Sequence, residues 1–348
     1  VLGTSEPAIP TLPDRLIARA GSLYGDVSIA RMRATLGELP APRVRAHSAA
    51  SMERADAMIF EAFTEAGWLA ELDPFEARDV KSWTSEAEGS AMEPAARLDG
   101  VNVVAVREGQ VPDALVFVAH HDTVPGSGGA DDNGSGVAAL LELARLLGDA
   151  RFRLSVVLAA VDHEELGFVG SRRLVSRLTA QRPVAGAFVF EMLGYTSAEP
   201  RSQLLPASIG LMYPGQARKI RARDQRGDFT TVLYQRSGAG LATRFAQGLA
   251  ALAGPAEPVL LRAPTDIPML GPVLGRAVPL ARDFARSDHV PFWEKRLPAV
   301  QITDTANFRN PHYHRASDLP RTLDYQCMAR IVAASALAAE QIAGRLDG

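Results

Sequence analysis

Cysteine is nearly missing from this chain: Cys327 is the only one in 348 residues. A single thiol excludes an intrachain disulfide and a thiolate zinc site, so any metal must be held by His, Asp and Glu. An excess of charge of one sign is also lacking. Lys and Arg number 37, Asp and Glu 40, and the formal net charge is −3. That balance points away from nucleic acid or an anionic membrane as partner. No apolar run is long enough to span a bilayer, and no repeat or low-complexity block stands out. A starting methionine is lacking too. The opening "VLGTSEPAIPTLP" is rich in small residues and proline. It reads either as what remains after a signal peptide is removed, for a secreted or periplasmic protein, or as the start of a trimmed, otherwise cytoplasmic chain.

What is present is an ordinary globular composition, 47% hydrophobic and 22% charged. Residues 14–70 read as helical, including "SMERADAMIFEAFTEAGW", with Gly67 as a stop. "VNVVAV" and "ALVFVA" are β-branched runs that predict buried strands. In "SGVAALLELARLLG", Val137, Leu140, Leu141, Ala144 and Leu147 form a helical stripe, and Gly148 ends it. A strand "RLSVVLAAV", a helix "FVGSRRLVSRL" and a strand "VAGAFVFEML" follow. Then come a helix "LATRFAQGLAALAG", a strand "AVQITD" and a long C-terminal helix. The alternation predicts an α/β fold with a mixed, mostly parallel central sheet sandwiched between helices. No linker interrupts the pattern, so a single domain over 1–348 is expected. The weakly patterned stretch 195–240 is expected to be a lid or excursion.

Polar clusters sit just after the apolar strands, where ligands bind in such sheets. "AHHDTVPGSGGADDNGSG" (119–136) follows the run "ALVFV". His120 and Asp122 lie two apart and share a side, with His121 opposite. Asp122 is placed to orient a metal-bound His120. Asp132 precedes the turn signal Asn133-Gly134, and a carboxylate there can bridge two cations. Gly129 and Gly134 serve the backbone, and Ser135 is a candidate helix cap. "VDHEELG" brings Glu164 and Glu165, which can divide metal binding from proton transfer. Glu191 ends "FVFE", and a buried carboxylate calls for a cation. "NPHYHRASDLP" adds His312 and His314, with Tyr313 between and Asp318 beyond. Five of the seven histidines fall in these clusters, a sixth, His289, lies in "SDHVPFW", and only His47 stands apart. One His, a bridging Asp, two Glu and one more His give two divalent cations three protein ligands each. Nitrogen and carboxylate donors suit zinc, with manganese or cobalt as substitutes.

In order and spacing, "AHHD…DDNGSG…EELG…E…YH" resembles the two-zinc aminopeptidase group of the M28 metallopeptidase family. The resemblance runs from about residue 45 to 335. It implies a zinc-dependent hydrolase acting on a peptide with a free N-terminus and releasing its first residue. It implies His120 as a terminal ligand of one zinc, Asp132 as the bridge, often followed by a cis peptide, and Glu165 and His314 on the other zinc. Glu164 is implied as general base, Tyr313 as a hydrogen-bond donor to the oxyanion, and Asp122 as the partner of His120. Glu191 stands where secreted relatives often carry Asp, and it is expected to bind metal still. "SDHVPFW" also resembles a motif of glutaminyl cyclases of the same fold, so His289 is expected in the pocket or beside the ligands. A cyclase-like zinc acyltransferase and a non-catalytic binding domain are the rival readings. Carboxypeptidase or dipeptidase specificity stays open within the first.

Overall fold

The computed structural model describes residues 6–266 and 282–347. Helices α1 (Asp14–Asp26), α2 (Ile29–Glu38) and α3 (Ala49–Glu65) lead into strands β1 (Leu69–Trp83), β2 (Met92–Arg107) and β3 (Val111–His120). Helix α4 (Gly136–Leu147), β4 (Leu154–Val161), α5 (Val169–Gln181) and β5 (Val184–Glu191) continue the alternation. Two short helices, α6 (Ala207–Met212) and α7 (Pro214–Arg221), precede β6 (Thr230–Tyr234), α8 (Ala239–Ala253) and β7 (Pro258–Arg262). After them come α9 (His289–Glu294), β8 (Ala299–Thr303) and α10 (Tyr325–Ala343).

The eight strands form one mixed sheet in the order β1-β2-β4-β3-β5-β8-β6-β7. The central strands β4, β3, β5 and β8 run parallel to one another; the pairs β1–β2, β2–β4 and β8–β6 are antiparallel, and β6–β7 is parallel. Helices cover both faces, as the alternation predicts. On one face α4, α8 and α10 pack in a large apolar cluster around Phe117, Phe188 and Phe190. On the other, α5 and Phe292 of α9 cover Val116, Val118 and Val189. Strands buried on both sides must be apolar throughout, and β4 is buried at every position.

The structure departs from the sequence reading at several places, among them β7, which no sequence pattern announced. The helical reading of 14–70 holds in α1, α2 and α3, but residues 39–48 between α2 and α3 are not helical, and Leu69 already begins β1. β1 is an edge strand carrying Glu71, Asp73, Glu76, Arg78 and Lys81, and an edge needs no continuous apolar run and tolerates Pro74. Within 195–240, β6 is a fully buried strand of the sheet, and α6 and α7 pack beside it through Ile209, Met212 and Leu233. Its sequence, TTVLY, is too short and too rich in threonine to stand out. Ser135 does not cap α4. It already has helical backbone angles, and its hydroxyl donates to the Asp131 carbonyl (2.8 Å) and accepts from Leu193 N (2.9 Å).

Because β3, β4, β5 and β8 run parallel, their carboxyl ends share one edge of the sheet. His120 closes β3, Glu191 closes β5, and Glu164 and Glu165 follow β4 within four residues.

Candidate metal centre

The turn 130–135 carries Asp132 and is held by neutral and charged partners of the chain itself. The Asp318 carboxylate accepts from the backbone N–H groups of Asp131 (2.9 Å) and Asp132 (3.0 Å). The Asn133 amide donates to Phe190 O (2.8 Å) and accepts from Met192 N (3.1 Å) and Gly136 N (3.2 Å). The Asp131 carboxylate accepts from Gly194 N (2.9 Å) and from Asn310 Nδ2 (2.7 Å). Gly129 opens the turn at φ +59°, where a Cβ would meet Thr123 Cγ2 at 2.4 Å, so glycine is required on both counts. The Asp132–Asn133 peptide bond is cis.

The five expected ligands meet in two groups that share Asp132. In one, His120, Asp132 and Glu191 each offer a donor atom within 4.8 Å of the others; in the second, Asp132, Glu165 and His314 do the same. The two carboxylate oxygens of Asp132 face different histidines. Oδ1 lies 3.4 Å from His120 Nε2, and Oδ2 lies 3.1 Å from His314 Nε2. Glu191 Oε2 is 3.5 Å from His120 Nε2, and Glu165 Oε1 is 3.6 Å from His314 Nε2. Tetrahedral coordination with bonds of about 2.0–2.1 Å separates ligand atoms by about 3.3 Å, so these separations have the edge length of a zinc polyhedron. Both Nε2 atoms are buried and make no hydrogen bond to a described residue. Two orphaned imidazole nitrogens, each facing carboxylates at coordination spacing, fit a pair of divalent cations better than any protein-only bonding scheme.

The neighbouring glutamates differ as the chemistry requires. Glu165 is engaged with His314, and burial together with the charge of Asp132 pushes its carboxyl up to about 7. Glu164 is 7% exposed and makes no ion pair or hydrogen bond through its side chain among the described residues. Burial holds its pKa well above the usual carboxylate range, against the pull of His120, with Glu165 and Glu191 adding to the rise. It lines the open cleft with Glu165, Glu191, Tyr313 and His314. Asp122 lies behind His120, with Oδ1 3.3 Å from Nδ1, and accepts from the backbone of Glu164 (3.1 Å) and Glu165 (3.2 Å). One carboxylate thus orients the histidine and both glutamates. Burial opposes protonation of His120, yet Glu191 and Glu164 raise its pKa well above the ordinary histidine value. For His314 the same opposition ends at about 10, through Asp132 and Glu165. Such a surplus of negative charge is what a cation would neutralise.

Other side chains sort themselves around this centre. Tyr313 stacks on His314 with ring centroids 3.7 Å apart, and its hydroxyl accepts from Arg286 Nη2 (3.1 Å). His121 points to the opposite face, as its position predicts, and bonds Asp56 and the Val161 carbonyl. His312 turns away to Ser317. His289 is not beside the ligands. Its Nε2 bonds Phe284 O (2.8 Å) and its ring meets Trp293 edge-on at 4.3 Å, and burial lowers its pKa to about 4. Sequence reasoning missed Ser287, which donates to Glu191 Oε2 (2.7 Å), and Arg286. Both belong to the stretch that includes "SDHVPFW", whose position on the cleft wall only the fold reveals.

Residues 102–229 match the profile described as Peptidase family M28. The chain is 33% identical over 230 residues to "Uncharacterized protein YfbL" of Escherichia coli (strain K12), covering 63% of this chain and 64% of that protein. It is 39% identical over 95 residues to "Aminopeptidase YwaD" of Bacillus subtilis (strain 168), covering 27% of this chain and 21% of the relative. The chain thus matches under two thirds of the length of either relative. Among solved structures, the aminopeptidase from Aneurinibacillus sp. strain AM-1 superposes with a TM-score of 0.65 at 14% identity, over 93% of this chain and 96% of that one. At that identity the likeness speaks for the fold alone. Together these findings bear out the resemblance to the M28 family.

Proposed function

We propose, from the M28 match and the geometry around Asp132, that this protein is a zinc-dependent metallopeptidase with two co-catalytic metal sites, acting as an aminopeptidase. The observation that carries the reading is the division of Asp132: each of its oxygens faces a different histidine whose Nε2 makes no hydrogen bond to a described residue. His120, Asp132 and Glu191 would hold one ion, and Asp132, Glu165 and His314 the other. Bound zinc supplies a polarised substrate carbonyl and a water acidified toward neutrality. Glu164, unpaired and facing the cleft, takes the proton of the attacking water and returns it to the leaving amine. Tyr313 directs its hydroxyl hydrogen at the oxyanion, and Arg286 holds the phenol oxygen in place. Asp122 keeps His120 in the tautomer that presents Nε2 to the metal. The substrate is a peptide with a free N-terminus, whose amine meets the surplus negative charge of Glu191 and Glu164.

A cyclase-like acyltransferase with one zinc would leave one of the two histidine–carboxylate groups without purpose. A non-catalytic relative would have no use for an unpaired Glu164. We also propose that the chain functions as a single catalytic domain. The test is a panel of aminoacyl p-nitroanilides and their N-acetylated forms, with metal content measured on the same samples. Cleavage of the free-amine series, loss with chelator and recovery with two zinc ions per chain are expected. Full activity after chelation, or equal cleavage of the acetylated series, would remove the aminopeptidase reading.

A further inference from the structure

Beside the metal cleft lies a second cavity, and the two share Glu191, Arg286 and Tyr313 in their walls. Strand register fixes its direction. Glu191 pairs with Thr303, Thr303 with Thr231, and Thr231 with Val259, so four side chains form one row across β5, β8, β6 and β7. Paired residues project from the same face. Neighbouring strands are about 4.8 Å apart, which puts Thr231 about 10 Å from Glu191 along the row. The adjacent row adds Gln301, Leu233 and Leu261 to the same wall. Ile209, Gln216 and Ile220 of α6 and α7 face it, with Phe229 and Phe284 at the sides.

Polar side chains, among them Glu191, Asp283, Arg286, Gln301 and Thr303, share the lining with a largely apolar body, and two polar atoms stand out in it. Thr231 Oγ1 and Gln216 Oε1 are buried and have no hydrogen-bond partner among the described residues. Both side chains are 1% exposed. The Gln216 amide is not free to turn, because its Nε2 donates to Leu260 O (3.0 Å). The oxygen is therefore the end left over, and it can only accept. A largely apolar body gains nothing from two orphaned polar atoms, because a buried donor or acceptor left unpaired is unfavourable. A ligand that brings a matching polar tip removes that penalty.

We infer that this cavity holds the side chain of the residue to be released and is built for tyrosine, an aromatic body ending in a hydroxyl. The inference rests on the aminopeptidase reading and names its substrate class. The phenol donates to Gln216 Oε1 and accepts from the Thr231 hydroxyl, while the ring lies among Leu233, Leu261, Phe229 and Phe284. Aliphatic side chains stop short of Thr231. Among the described residues a cationic tip finds no carboxylate there, since Asp283 stands at the Arg286 end, and the Arg309 guanidinium lies 4.4 Å from the Phe229 ring centre. A carboxylate tip meets the lone pairs of Gln216 Oε1. Phenylalanine fits the walls and leaves both polar atoms unpaired.

The test compares tyrosine and phenylalanine p-nitroanilides on the zinc-loaded protein, with Thr231→Val and Gln216→Met measured alongside. The wild type is expected to favour tyrosine in kcat/KM by at least ~10-fold, as sites that bond a substrate hydroxyl do. Each variant is expected to bring the ratio close to one. Taking the ratio on one preparation cancels any loss of folded protein. Binding is read separately with the uncleavable amino alcohols L-tyrosinol and L-phenylalaninol, by the thermal shift each produces. Tyrosinol is expected to give the larger shift in wild type, and the difference to vanish in Thr231→Val. A wild-type ratio of one or less, or a preference that survives both substitutions, overturns the inference. If no aminoacyl substrate is cleaved, the peptidase reading fails, and the amino alcohol pair still decides the pocket.

Discussion

The end of β3 presents two buried histidines to opposite faces, and their surroundings differ in one respect. On the His121 side, Asp56 and Asp162 share the Arg45 guanidinium, which bonds Asp56 at 2.9 and 3.0 Å and also bonds Asp162, and His121 completes the group at 2.8 Å from Asp56. On the His120 side, five carboxylates, those of Asp122, Asp132, Glu164, Glu165 and Glu191, surround two imidazoles, and among the described residues no guanidinium pairs with them. Donor spacing alone does not separate the two faces. Asp122, Asp162 and His163 also bring ligand atoms within 4.8 Å of one another. But Asp162 already accepts from Arg45, from Val101 N (3.1 Å) and from His163 N (2.9 Å), so nothing is left for a cation. A metal site is marked by charge that the protein has not compensated, not by a gathering of acidic residues.

Three changes break or sharpen that contrast. The largest effect is expected from Glu164→Gln, which removes the unpaired base and leaves every proposed ligand in place. Turnover should fall by about 10²–10⁴-fold, with zinc content by elemental analysis unchanged. Unchanged turnover would take Glu164 out of the mechanism. Next is Arg45→Met, which strands Asp56 and Asp162. Loss of one partner from a buried charge group is expected to lower stability by about 3–5 kcal/mol in chemical denaturation, while the zinc stoichiometry stays as in wild type. A variant that instead took up an extra ion on the His121 side would show that compensation there was Arg45's alone. The smallest effect concerns His289, a buried imidazole with neither guanidinium network nor carboxylate partner. It stays neutral in the folded chain down to about pH 4, whereas an unfolded histidine protonates near 6.5. Its contribution is complete above pH 6.5 and is lost as the pH falls through 4. Between pH 7 and 4, His289→Asn should flatten the fall in unfolding free energy by at most about 3 kcal/mol. An equally steep fall in the variant would assign the pH dependence elsewhere.

The same physics decides what the sequence makes legible. The strands that deliver the site, β3, β4, β5 and β8, are buried on both faces, so they read as apolar runs with the chemistry directly after them. His120, Asp132, Glu164, Glu165, Glu191 and His314 could be singled out because unpartnered charge after such a run has no structural use. Arg45 left no such sign, because an arginine before a helix is ordinary until the fold brings it to Asp162. β1 hid behind its charged edge, and β6 and β7 behind their five-residue lengths. The pocket residues Thr231 and Gln216 stayed invisible for a related reason: their meaning lies in bonds they do not make.

One feature of the turn at Asp132 reaches beyond catalysis. Asn133, Asp131 and Asp318 fix it through seven hydrogen bonds to the chain, none of which involves a metal ligand's side chain. A loop braced in this way takes its shape before any ion arrives. On the proposed reading, folding can come first and loading second, and the ions acquired would be those the surroundings supply at that later moment.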